Sequence, residues 1–166
     1  MSRLDSFIAR MQAQRTLLDR ACAELNAAGG RFAGPAIEFG LGNGRTFDHL
    51  RKHLQGRRIV VFERSVRANQ RSLPPVEDLV LGEIEETAPE FARNFGPIAA
   101  LLHSDLGNGV ADDELQLEGW LPSAAHALVR PGALIITSTR LAHPRLEDRP
   151  LPPELPPGRY YVYRRC

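Results

Sequence analysis

The chain has 166 residues and a mass of 18.4 kDa, which leaves room for one domain and little for a second. Hydrophobic residues make up 43% and charged residues 25%, and 21 basic against 20 acidic side chains leave a net charge of +1. Those values exclude bulk disorder and argue against a surface built to coat nucleic acid or an anionic membrane.

Residues 3–28 place Leu4, Phe7, Ile8, Met11, Leu18, Ala21, Cys22 and Leu25 at helical spacing, so the chain is expected to open with one helix that Gly29-Gly30 ends. PAIEF (35–39) reads as a buried strand. The glycine-rich turn GLGNG (40–44) and a helix over about 45–54 follow it. RRIVVFE (57–63) is a second strand, SVRANQ (65–70) a short helix, and DLVLGE (78–83) a third strand. EETAPEFARNF (85–95) is a helix with its acids at the start, where the dipole favours them. PIAALLHSD (97–105) is a fourth strand. The helix over 111–129 is expected to bend or break near Pro122, and ALIITST (133–139) is a fifth strand. Residues 143–158 carry six prolines and read as an extended connector, and RYYVYRR near the end of the chain reads as a last strand.

Short apolar strands separated by helices imply an α/β fold with a doubly wound, mostly parallel sheet covered on both faces. The expected division is a single domain over 1–166. It comprises an N-terminal helix (1–30), a ligand-binding core (35–140), the connector (143–158) and a terminal strand (159–166). No apolar run approaches the ~18–20 residues of a membrane span, and MSRLDSFIARMQ has no signal-peptide core. Cys22 and Cys166 form no disulfide or metal pattern, so a cytoplasmic setting is expected and no metal set is assigned.

The sharpest motif is Glu38-Phe39-Gly40-Leu41-Gly42-Asn43-Gly44, where the first strand ends. Glycines there permit a tight turn, and the next helix start offers free N–H groups to a ligand. The dinucleotide fingerprint GxGxxG would need glycine where Arg45 stands, and no GK[ST] follows to make a triphosphate loop.

An acid, one residue, then GxGxG resembles the first motif of the S-adenosylmethionine-dependent methyltransferases of Rossmann-like fold. Four further elements of that family pattern follow in order. They are Glu63 ending strand two, 19 residues past Gly44, Glu83 after strand three, LLHSDLGNG with Asp105 after strand four, and LVRPGALIITS turning into strand five. The resemblance covers about residues 35–140 and is greatest to small stand-alone members. Relative to the family, the helix and antiparallel strand pair after strand five are expected to shrink to a connector and one strand.

The resemblance implies S-adenosylmethionine as cofactor, with Gly40, Gly42 and Gly44 at its backbone and Glu38 orienting the turn and the methionyl ammonium. It puts Arg45 and Thr46 on the methionyl carboxylate, Glu63 on the ribose hydroxyls, and Glu83 and Ile84 at the adenine. Ser104 falls near the sulfonium, and His103 or Asp105 is the candidate chemical participant. The plainer readings are a turn for the glycines, a salt bridge with Arg64 or Arg67 for Glu63, and core for Ile84. His49, His53 and His126 fall in helices and are assigned to surface or packing, and Trp120 to core or interface. Tyr160, Tyr161 and Tyr163 are assigned to the sheet or a subunit partner.

The expected reaction is in-line methyl transfer to a small-molecule acceptor, because SDLGNG lacks the Asn-Pro-Pro-Tyr type of motif and the net charge is near zero. A non-catalytic methyltransferase-like binding module and, more weakly, a nicotinamide oxidoreductase are the alternatives. A homodimer is expected from the apolar N-terminal helix and from a terminal strand placed at the sheet edge.

Overall fold

In the computed structural model, which describes residues 2–107 and 110–166, helix α1 spans Arg3–Ala28. Ser2 and Asp5 cap it reciprocally. The Ser2 hydroxyl accepts from the Asp5 N–H at 3.0 Å, and the Asp5 carboxylate accepts from the Ser2 N–H at 2.9 Å. Gly29, at φ 55°, ends it. The alternation then runs β1 (Ala36–Phe39), α2 (Arg45–His53), β2 (Ile59–Glu63), β3 (Leu79–Leu81), α3 (Ile84–Phe95), β4 (Ala99–Ser104), α4 (Ala111–Leu128), β5 (Val129–Thr137), β6 (Leu146–Arg149) and β7 (Tyr161–Arg165).

The seven strands form one sheet in the order β3-β2-β1-β4-β5-β7-β6. The first five run parallel, and β7 lies antiparallel to both β5 and β6. This is the expected doubly wound α/β architecture of Rossmann-like type, with helices on both faces. Side-chain alternation along the strands splits the core. Ala36, Val61, Leu101 and Leu134 pack with α1 and α2, while Ile37, Val60, Leu102 and Ile135 pack with α3 and α4. The strand order reverses between β1 and β4, and a sheet of this kind opens a crevice there at the carboxyl ends of its strands.

Several expectations need correction. SVRANQ forms no α-helix; only a short 3-10 turn, Gln70–Ser72, is helical there. Six residues rarely nucleate a helix alone, and local side-chain bonds compete. The Ser65 N–H donates to Glu63, and the Asn69 side chain accepts from the Arg71 N–H, both at 2.9 Å. Helix α4 continues through Pro122 instead of breaking there. The ring is buried with Leu121, Ala124, Ala125 and Leu128, so packing of this half offsets one lost backbone bond.

The connector contains β6, so the antiparallel strand pair after β5 is retained. LEDR escaped notice because it is polar and mostly exposed, as edge strands often are. Consequently β7 is not at the edge. It lies between β5 and β6, and the edge argument for a homodimer falls away. Tyr160 and Tyr163 are buried at 1% exposure in this chain's own core. Helix α1 covers its own sheet and is tied down by arginine contacts. Arg164 reaches Glu24 and Arg20 reaches Glu154, each at 2.6 Å, and Arg159 donates to the Ser6 hydroxyl at 2.7 Å. Only the first turns of its apolar stripe, with Leu4, Phe7 and Ile8, stay exposed.

Among the described residues no helix is long and apolar enough to cross a membrane. Both cysteines are free, Cys22 buried and Cys166 exposed.

Candidate functional site

A cleft of about 670 Å³ opens where the strand order reverses. Its floor is the glycine turn after β1. The Gly44 N–H donates to the Leu41 carbonyl at 2.7 Å, and Gly44 itself caps α2 at φ 77°. A Cβ on Gly44 would lie 2.5 Å from Ser72 Cβ and 2.8 Å from its carbonyl oxygen, so the turn is packed tight from behind. Beside Gly42 the space is open, on the cleft side.

Glu63 ends β2 and reaches across to this turn. One carboxylate oxygen accepts from the N–H groups of Leu41 at 2.7 Å and Gly42 at 3.1 Å, and the other accepts from Ser65 at 2.9 Å. The surface pairing with Arg64 or Arg67 considered above is not what holds it. Gly40, Gly42, Arg45, Thr46, Glu63, Glu83, Ile84 and Asp105 all line the cleft. Gly44, Glu38, His103 and Ser104 do not. The last three are buried beneath it, at 0%, 1% and 0% exposure.

That buried layer follows from the sheet register. Glu38 and His103 are paired across β1 and β4, and alternation turns both toward α1 and α2. Thr46 donates its hydroxyl to Glu38 Oε1, and His103 Nδ1 lies 3.6 Å from the same oxygen. Among the described residues nothing hydrogen-bonds Glu38 Oε2. An acceptor kept so dry is costly without a donor.

Two residues further, Asp105 rises to the cleft surface with a side chain 19% exposed. Gln14 of α1 joins the two levels. Its amide donates to Asp105 Oδ2 at 3.1 Å and meets His103 Nε2 at 3.3 Å. An amide nitrogen carries two hydrogens and no acceptor. In this contact His103 Nε2 is the acceptor, while Nδ1, on the Glu38 side, has no hydrogen-bond partner among the described residues. The Tyr160 hydroxyl donates to Asp105 Oδ1 at 3.1 Å, and Arg10 Nη2 stands 3.6 Å from Oδ2. Burial first, then the adjacent Asp105 carboxylate, pushes the Tyr160 phenol pKa upward, so it remains a donor.

Sequence reasoning missed Arg10, Gln14 and Tyr160 in this cluster, and Trp120 as lining of the cleft. Gln14 breaks the apolar stripe of α1 with a polar side chain at 5% exposure. That break was the available signal, because a buried amide implies a partner. Tyr160 lies 55 residues from Asp105 and carried no signal of its own. The end of the LLHSDLGNG motif, Asn108 and Gly109, lies outside the described residues.

In chemical terms the cleft offers carboxylates to ligand hydroxyls and amines and open backbone beside Gly42, and beneath it, behind Thr46, lies a buried Glu38 oxygen without a hydrogen-bond partner among the described residues. A ligand rich in hydroxyl and ammonium donors fits that set.

The sequence profile of a family described as S-adenosyl-L-methionine methyltransferase matches residues 1–165. Among solved structures, the chain is similar to an S-adenosyl-L-methionine methyltransferase from Silicibacter pomeroyi DSS-3. The identity is 43% over 99% of each chain, with a TM-score of 0.90. More distant likenesses concern the fold alone. The cofactor-bound Rv0187 from MTB is 16% identical over 96% of this chain and 89% of that one, with a TM-score of 0.57. The antibiotic-resistance methyltransferase Kmr is 16% identical over 87% of this chain and 92% of that one, with a TM-score of 0.55. No curated protein matches the chain.

Proposed function

The chain belongs to the S-adenosyl-L-methionine methyltransferase family, and on that premise we propose that it methylates a small molecule held in the same cleft as the cofactor. Family membership makes it an S-adenosylmethionine-dependent enzyme, which sets aside the nicotinamide and non-catalytic alternatives. Bound there, the cofactor supplies a methyl group on a sulfonium.

The chain's own residues take the following roles in this reading. Glu63 accepts the ribose hydroxyls, and Glu83 and Ile84 flank the adenine. Arg45 and Thr46 hold the methionyl carboxylate. Glu38 answers the methionyl ammonium, directly or through water, with the oxygen that has no partner among the described residues. Gly40 and Gly42 bring the backbone close, and Gly44 sets the turn. Ser104 and His103 act from below, the latter by orienting Gln14 and hence Asp105.

Methyl transfer disperses charge, so alignment and a dry pocket matter most. Phe7, Met11, Leu117 and Trp120 supply an apolar wall. A nucleophile that starts protonated also needs a proton acceptor. Asp105 is the carboxylate placed for it, fixed by Tyr160 and Gln14 and facing the cleft. The observation that carries the small-molecule reading is the cleft itself. Its ~670 Å³ runs without interruption from the glycine turn to Asp105, a volume in the range of small-ligand sites. The net charge of +1 makes a nucleic-acid acceptor a poorer match, and two unpaired cysteines suit a reducing cytoplasm.

The test is transfer of labelled methyl from S-adenosylmethionine into a cell extract, separated into small-molecule, RNA and protein fractions. Label is expected in the small-molecule fraction. Asp105→Asn should lower turnover about 10²–10⁴-fold while S-adenosylhomocysteine affinity stays within about threefold. Label in RNA or protein alone overturns the acceptor class. An unchanged rate in the Asp105 variant overturns its role.

A further inference from the structure

On the α1–α2 face, away from the cleft, two histidines of α2 converge on one carboxylate of α1. His49 and His53 are four residues apart, so they share a side of the helix. His49 Nε2 lies 2.7 Å from Asp19 Oδ1, and His53 Nε2 lies 3.9 Å from that same oxygen. One ligand atom from each of the three falls within 4.8 Å of the others. The two rings are 4.3 Å apart at 36°. Nothing in the methyl-transfer site uses these groups.

A plain ion pair accounts for His49 and Asp19 alone. It does not explain why a second imidazole nitrogen is brought to the same oxygen while remaining beyond hydrogen-bond reach. A shared cation does. Nitrogen and oxygen donors sit about 2.0–2.1 Å from zinc, and in a tetrahedron that puts neighbouring donors about 3.3 Å apart. The observed 2.7 and 3.9 Å straddle that separation, so small side-chain rotations complete the set. His49 is 23% exposed, His53 40% and Asp19 45%. The partners can therefore move, and water can fill the remaining position.

Two imidazoles and one carboxylate favour a borderline transition ion. Magnesium and calcium prefer oxygen ligands throughout. We propose that Asp19, His49 and His53 form a zinc-binding site with a water-filled fourth position, pinning α1 to α2. Its place gives it a consequence for the cleft. The same α1 carries Arg10 and Gln14 into the cleft, and α2 begins at the glycine turn. The third donor stands 30 residues before His49, which is why a reading of the sequence assigned both histidines to the surface and no metal to the chain.

The test is calorimetric titration of chelator-treated full-length protein with zinc chloride. One zinc per chain is expected, with micromolar affinity. His53→Gln and Asp19→Asn should each weaken it at least about tenfold, since loss of a direct ligand exceeds loss of a supporting residue. Cobalt(II) should give the intense visible bands of a four-coordinate ion in the wild type and lose them in His53→Gln. S-adenosylhomocysteine affinity in zinc-free buffer should be unchanged in both variants, which separates this site from the cofactor site. Should Asp19→Asn fail to fold, His49→Gln replaces it as the second variant. Zinc binding that is equally tight in wild type and variants overturns the proposal, wherever else on the chain the metal goes.

Discussion

Replacing Glu63 with alanine tests the cofactor reading at its most exposed point. The carboxylate already accepts three backbone N–H groups, from Leu41, Gly42 and Ser65, at 2.7, 3.1 and 2.9 Å. A carboxylate has about four acceptor sites, so two ribose hydroxyls displace one of the three. The Gly42 bond, the longest, is the one to yield. Two bonds to a charged acceptor contribute about 3–6 kcal/mol together. Losing one backbone bond and ordering the side chain lower that to about 2–4 kcal/mol, or roughly 30- to 1000-fold in affinity.

The fold should survive the change. Gly42 and Ser65 are exposed, so water can reach their freed N–H groups, while Leu41 is buried and its freed N–H carries most of the cost. Destabilisation of about 1 kcal/mol would lower the melting temperature by about 2–4 °C. Calorimetry with S-adenosylhomocysteine, run beside a thermal melt of the same variant, makes the measurement. Glu63→Gln, which keeps one acceptor oxygen, should fall between wild type and alanine. A folded Glu63→Ala protein whose affinity stays within about threefold of wild type would refute the reasoning, because the ribose would then be held elsewhere.

Three further outcomes are expected. Gly44→Ala places a side chain at φ 77° and drives its Cβ to 2.5 Å from Ser72. It should cost about 1–3 kcal/mol in chemical denaturation, and an unchanged midpoint would mean that the turn relaxes freely. Gln14→Leu leaves His103 Nε2 without its donor and Asp105 Oδ2 with Arg10 alone. A loss of about 1–3 kcal/mol is expected, and a gain would show that the buried amide is a net burden. Burial first, and then the charges of Arg165 and Arg145 beside a stacked His143, lower the His126 pKa to about 4 from 6.5. The folded state then holds His126 neutral while the unfolded chain takes up a proton below 6.5. Stability is fully present above that pH and falls as pH drops toward 4, by about 1–2 kcal/mol after allowance for solvent. Denaturant melts of wild type and His126→Gln across that window should differ in slope, and parallel curves would remove His126 as the cause.

Most of the fold was legible because its strands are continuous apolar runs. AIEF, IVVF and AALLHS are buried along nearly their whole lengths, and such runs between helices leave few topologies. What stayed hidden lacked that pattern. LEDR forms β6 as an exposed edge, so its side chains answer to solvent and show no alternation. Missing β6 put β7 at the edge, and a partner chain was then invoked to cover aromatics that this chain covers itself. One polar four-residue strand thus removed the sheet edge from the argument for a dimer.

The candidate site divides along the same line. Glu38, Gly40, Gly42, Gly44 and Glu63 could be singled out because the turn is local and its glycines and acids fall at strand ends, and of these Gly40, Gly42 and Glu63 line the cleft. The Asp105 cluster draws on α1 and on the residue before β7, which lie 91 and 55 residues away in sequence. No local spacing records such a meeting. Only the topology brings it about. Placing β7 beside β5 brings Tyr160 to the carboxyl end of β4, and the tie from Arg159 to Ser6 seats the start of α1 over the same end. The two ends of the chain therefore build the wall facing the glycine turn. Those ends lie outside the five ordered motifs, which is why the motifs point to the cofactor and say little of the acceptor.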